Sequence, residues 1–146
     1  MIIDDSYNAS PNSVKEALAV IERTPQQKKV VILGDMLELG ALSEEAHKEI
    51  GRLVAKISPW QLVAVGNLAQ GIIAGAVEAG YSQEKISWYE NSDLAKEAVR
   101  NNIEPESVIL IKGSQGARME KITKELLQDP MSASNVLPRQ YGKWLE

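Results

Sequence analysis

The chain has 146 residues, 44% of them hydrophobic and 25% charged, a balance that fits one globular domain around a single core. It contains no cysteine and one histidine, His47, which excludes disulfides, cysteine-ligated zinc and thiol catalysis and leaves no imidazole pair for a metal. A net charge of −4, no Phe and 5% aromatic content argue against nucleic acid as a partner.

The opening Met1-Ile2-Ile3-Asp4-Asp5 lacks the basic start and apolar run of a signal peptide, and no stretch is long enough to span a bilayer. A cytoplasmic domain without membrane insertion is the expectation. Ile2-Ile3 reads as the stub of a strand, as though the chain had been cut from something longer. A helix is expected over 12–23, with Ser13 and Glu16 in capping-box spacing. There follow a strand over 30–33, a helix over 43–56 opened by Ser43, a strand over 62–65 and a helix over 68–79. The strand Ile86-Ser87-Trp88-Tyr89, a helix over 93–101 capped by Asp93, a strand over 108–111 and a helix over 119–127 complete the series. Three of these four strands are apolar at every position, as strands covered on both faces are. The β-α alternation implies right-handed crossovers and an α/β fold, a three-layer α/β/α sandwich with a mostly parallel sheet. The domain is expected over 1–128, and 129–146, which includes Trp144, reads as a tail without period.

In such sheets ligands bind where strands end and the chain order reverses, so the polar runs that follow strands carry the functional candidates. Asp4-Asp5-Ser6-Tyr7-Asn8-Ala9-Ser10-Pro11 offers carboxylates for ribose hydroxyls or a hydrated magnesium ion and directional groups for a base or amide. An Asx-type turn with a helix cap is the plainer alternative. Gly34-Asp35-Met36-Leu37-Glu38-Leu39-Gly40 presents Asp35 and Glu38 to a cation or an ammonium group, or simply to solvent. Lys112-Gly113-Ser114-Gln115-Gly116-Ala117-Arg118 sets a lysine, a serine and an arginine at the start of a helix, an arrangement suited to an anion. No G-x-x-x-x-G-K-[ST] run occurs, so the chain has no Walker loop. His47 borders the apolar stripe of Ala46, Ile50, Leu53 and Val54, and reads as a structural or surface group.

Taken in order, these three runs together with Ser43-Glu44-Glu45-Ala46-His47 resemble the carboxy-terminal domain of the Mur ligases, over residues 4–127. The resemblance is strongest to the branch that joins D-Ala-D-Ala to UDP-MurNAc-tripeptide in peptidoglycan synthesis. It implies a Rossmann-like domain of a three-domain ATP-dependent ligase, whose amino-terminal UDP-sugar domain and central ATPase domain are absent here. Magnesium and the phosphates would be held mainly by that central domain. The resemblance further implies that Asp5 contacts the ATP ribose, with Asp4 as the alternative, and that Tyr7, Asn8 and Pro11 line the adenine side. Lys112, Ser114 and Arg118 would hold the acceptor carboxylate, and Asp35 and Glu38 would border that cleft. No catalytic residue and no metal ligand is implied on this chain, and the domain alone is expected to be inactive. Two departures stand out. Ser10-Pro11-Asn12 replaces the usual Asn-Pro-Asp, and Gln115 stands where an arginine is common.

Two other classes fit the outline. A receiver-like phosphoacceptor domain also places an acidic pair after its first strand and a lysine after its last. A nonenzymatic α/β interaction domain is compatible with the charge balance.

Overall fold

The apolar runs form the strands β1 (Ile2–Asp5), β2 (Lys29–Gly34), β3 (Gln61–Val65), β4 (Ile86–Tyr89) and β5 (Val108–Lys112) in the computed structural model, which describes residues 1–127 and Leu137. Between and after them lie the helices α1 (Pro11–Glu22), α2 (Ser43–Ile57), α3 (Gln70–Glu78), α4 (Ser92–Asn102) and α5 (Glu120–Leu126). Every strand pairing is parallel, and the order across the sheet is β1-β5-β2-β3-β4. The short Ile2-Ile3 stub is a full strand because β5 pairs with it from Ile2 opposite Ile109 to Asp5 opposite Lys112.

Strand side chains alternate between faces, which explains why whole runs are apolar. Val31, Leu33, Leu62, Ala64, Val108 and Leu110 pack with α1, α2 and α3 on one face. Val30, Ile32, Val63, Val65, Ile109 and Ile111 pack with α4 and α5 on the other. Right-handed crossovers require this division. The steps from β1 to β4 run one way across the sheet, and the return from β4 to β5 runs the opposite way. As a result β1 and β2 lead into helices on one face, while β5 between them leads into α5 on the other. The loops therefore splay apart on both sides of β5, the topological switch at which open α/β sheets bind ligands. This order differs from the 2-1-3-4-5 of receiver-type sheets, which removes the phosphoacceptor reading.

The capping of three helices differs from expectation. α1 is capped by Ser10, whose hydroxyl accepts from the Ser13 N–H while the Ser13 hydroxyl accepts from the Ser10 N–H, so the capping box is Ser10/Ser13 and Pro11 takes the first helical position. Ser43 is not a cap, because a turn of 3-10 helix, Gly40–Leu42, runs straight into α2. α4 is capped by Asn91, which accepts from the Leu94 N–H at 3.0 Å and starts the helix ahead of Asp93. The expected tail, with Trp144, lies outside the described residues apart from Leu137, which is buried. Among the described residues no helix is long and apolar enough to cross a membrane.

Candidate ligand-binding site

Ser114 ties the three polar loops together. Its hydroxyl accepts from the Leu37 N–H at 2.8 Å and donates to the Ala9 carbonyl at 3.3 Å, and its own N–H donates to the Asp35 carbonyl at 2.9 Å. The loops after β1, β2 and β5 thus form one hydrogen-bonded unit around a buried serine, whose hydroxyl is committed to holding them.

His47 does the same work from below. Its imidazole is fully buried, Nε2 accepts from the Met36 N–H at 3.0 Å, and Nδ1 lies 2.7 Å from the Ser43 carbonyl oxygen. Only the neutral form with its proton on Nδ1 makes both bonds, so the ring is a fixed bracket between α2 and the loop carrying Asp35.

The two acids that end β1 point to opposite faces, as strand alternation dictates. Asp4 turns toward α5, where it accepts from the Ser6 hydroxyl at 2.9 Å and from the Thr123 hydroxyl. Asp5 turns the other way, and its Oδ2 accepts from Lys112 Nζ at 2.6 Å. Lys112 also donates to the Asn8 carbonyl at 2.8 Å. Asp5, Asn8 and Lys112 line an open cleft of about 570 Å³ between β1 and α1, with Ser10, Ser13 and Glu16 on its far wall. Tyr7 is exposed, and Pro11 is spent on opening α1.

On the other side of β5, Asp35, Gly66, Asn91, Asp93, Arg118 and Lys121 line a smaller crevice of about 220 Å³. The structure therefore brings Asp35 and Arg118 together but separates them from Asp5 and Lys112, two residues assigned by resemblance to different sides that are in direct contact. Arg118 Nε donates to the buried Glu120 carboxylate at 2.6 Å. Glu38 is exposed and lines neither cavity. Both Glu38 (φ 64°) and Arg118 (φ 53°) adopt the left-handed region, which costs an L residue about 1 kcal/mol and tends to be retained where a loop has a task. Sequence reading took Asp93 only as a helix cap and gave Asn91 no role, and so missed what the start of α4 contributes to the crevice.

Asp35 is the electrostatically costly member. Burial pushes its carboxyl above the ordinary 3.8, outweighing the Ala69 N–H, which donates to Oδ1 at 2.7 Å. Its carboxylate occupies the space a side chain at Gly66 would take, and Gly66 sits at φ 107°. Because the folded value is raised, the folded state binds the Asp35 proton more tightly than the unfolded one. The Asp35 contribution therefore favours folding most at low pH and is lost as pH rises through the raised value. Asp35→Asn keeps an acceptor for Ala69 and removes the buried charge. It is expected to leave stability unchanged or raise it by up to about 1 kcal/mol at neutral pH, with the gain vanishing in acid, as thermal melts across pH will show.

Among the described residues no group of three or more His, Asp or Glu side chains could hold a metal ion.

A fully parallel, doubly wound sheet with two polar cavities flanking its switch strand defines a Rossmann-like ligand-binding domain. Residues 1–115 match the family described as "Mur ligase, glutamate ligase domain", and the chain belongs to the Mur ligases as their carboxy-terminal domain. It is 37% identical over 132 residues to the UDP-N-acetylmuramoyl-tripeptide–D-alanyl-D-alanine ligase of Bacillus subtilis, covering 90% of this chain and 29% of that protein. The Escherichia coli protein of the same name is 29% identical over 131 residues, covering 88% of this chain and 27% of its own length. Among solved structures, a MurF crystal structure from Acinetobacter baumannii superposes with a TM-score of 0.75 at 32% identity, covering 88% of this chain and 28% of that one. The chain thus spans under a third of the length of these relatives.

Proposed function

We propose that this chain is the carboxy-terminal domain, over 1–128 with a tail over 129–146, of a cytoplasmic ATP-dependent ligase that adds D-Ala-D-Ala to UDP-MurNAc-tripeptide. The observation that carries this reading is the pair of polar cavities on either side of β5, bridged by Ser114. The larger cleft presents the half-exposed Asp5 carboxylate, whose Oδ1 has no partner among the described residues and can accept from ribose hydroxyls, beside Asn8. Tyr7 and the turn to Pro11 extend that surface toward the base. The smaller crevice gathers Asp35, Asp93, Arg118 and Lys121; Lys121 is paired with Asp93 at 2.7 Å and Arg118 with Glu120 at 2.6 Å, and this lining of both signs suits a zwitterion such as D-Ala-D-Ala that joins the existing pairs. Glu38 stands on the loop after β2, and Ser114 and Lys112 hold the loops in place.

ATP, when bound, supplies the phosphoryl group that activates the tripeptide carboxylate as an acyl phosphate. No group of His, Asp or Glu among the described residues fits a magnesium cage; in this reading magnesium is held mainly by the central domain of the ligase and the UDP-sugar end of the acceptor by the amino-terminal one. The contribution of this chain is to bind and orient the dipeptide amine and one end of the nucleotide.

The decisive experiment replaces the matching 132 residues of the Bacillus subtilis relative with this chain. The hybrid should ligate D-Ala-D-Ala to UDP-MurNAc-tripeptide, while the chain alone should turn over no ATP. A folded hybrid without activity, or turnover by the isolated chain, would refute the reading.

A further inference from the structure

Lys112 is the largest of the fully buried side chains and ends β5, directly before the Gly113-Ser114 loop. Its side chain is 1% exposed, whereas that of its carboxylate partner Asp5 is 47% exposed. A buried ammonium is stable only when paired and hydrogen-bonded, and here Lys112 donates to Asp5 Oδ2 at the end of β1 and to the Asn8 carbonyl in the loop that follows. Turning to an incoming carboxylate would strip Lys112 of that pairing in a place water scarcely reaches. Among the described residues the cleft has no other lysine or arginine in its lining.

We propose that Lys112 is a positioning residue for the nucleotide side and not a ligand of the acceptor carboxylate. By holding Oδ2 it fixes the Asp5 side chain in one rotamer and leaves Oδ1 to the ligand. By holding the Asn8 carbonyl it fixes the turn that places Tyr7 and Asn8. The buried ammonium also offsets the charge of Asp5, so a polyanionic nucleotide meets a carboxylate that is already compensated. This rests on the nucleotide reading of Asp5, and the two stand or fall on different readouts.

The test compares the wild-type chain with Lys112→Met, which keeps the stem and takes the donor from both the solvated Asp5 carboxylate and the Asn8 carbonyl. Amide shifts are followed during titration with magnesium ATP and, separately, with D-Ala-D-Ala. Positioning predicts that Lys112→Met weakens the ATP response at Asp5 and Asn8 by about ten-fold or more, while the D-Ala-D-Ala response at Asp35 and Arg118 stays within about two-fold. The converse pattern, dipeptide response lost and ATP response kept, overturns it. If the wild-type chain answers neither ligand, the half-site reading of the isolated chain fails. The proposal is then decided by the unliganded spectra, where Lys112→Met must raise backbone mobility at Tyr7 and Asn8, and unchanged mobility overturns it. Should Lys112→Met not fold, the Lys112 ammonium signal of the wild type decides. Slow proton exchange with perturbation by changes at Asp5 supports positioning, and a rapidly exchanging ammonium refutes it.

Discussion

His47→Ala is expected to lower stability by about 3–5 kcal/mol, a drop of about 10 °C or more in Tm. The loss has two sources. Removing the imidazole empties space that is wholly enclosed, against α3 at Gly71 on one side and the Asp35 loop on the other. It also strands the Met36 N–H, whose residue is 1% exposed, and takes the donor from the Ser43 carbonyl. The stranded Met36 N–H alone costs about 1–3 kcal/mol. His47→Gln offers one amide for the two bonds and should recover part of the loss. The damage is expected to reach the site as well, because Met36 lies between Asp35, which bonds Ala69, and Leu37, which bonds Ser114. Calorimetry of both variants checks the ranking. A loss below about 1 kcal/mol for His47→Ala would mean that Ser114 alone holds the loop.

The element series was legible because each signal is local. Runs such as Val30-Val31-Ile32-Leu33 announce strands covered on both faces, and the polar runs after them announce the loops at the carboxyl end. Strand order was not legible, since nothing in the sequence near Lys112 says that β5 inserts between β1 and β2. That insertion is what sets Lys112 against Asp5 and Ser114 against Ala9 and Leu37. From the sequence alone Lys112 and Ser114 read as open anion donors; their tertiary partners, more than a hundred residues away for Asp5 and Ala9, turn them inward. The helix caps were misplaced for a related reason. A cap is a geometric relation, so Ser43 fails when a 3-10 turn feeds its helix, while Ser10 succeeds because Pro11 presets the first turn. The Mur ligase resemblance gave the family, but which side of β5 each side chain faces depends on strand order.

Gly51→Ala and Gly75→Ala are each expected to destabilise the fold by about 2–4 kcal/mol, against the sign of helix propensity, which favours Ala over Gly by about 1 kcal/mol. Both glycines lie mid-helix, Gly51 in α2 and Gly75 in α3, where alanine would ordinarily stabilise. A Cβ on Gly51 would fall on the Ile72 carbonyl oxygen and stand 2.6 Å from the Ala76 nitrogen. A Cβ on Gly75 would fall on the Lys48 carbonyl oxygen and stand 2.8 Å from the Lys48 Cα. These neighbours are backbone, so no rotamer change relieves the overlap and the helices must part. Gly80→Ala serves as a control, because it meets nothing within 4 Å and pays only for its φ of +89°, about 1–2 kcal/mol. Parting α2 from α3 would also draw the loop after β2, anchored to α2 by His47, away from Ala69 at the start of α3, opening the bond that holds Asp35. Chemical denaturation of the three variants, with amide shifts at Asp35 and Ala69, checks both consequences. A gain in stability for Gly51→Ala would show that the helices slide apart freely, and the rigid placement of Asp35 would then have to come from Ser114 alone.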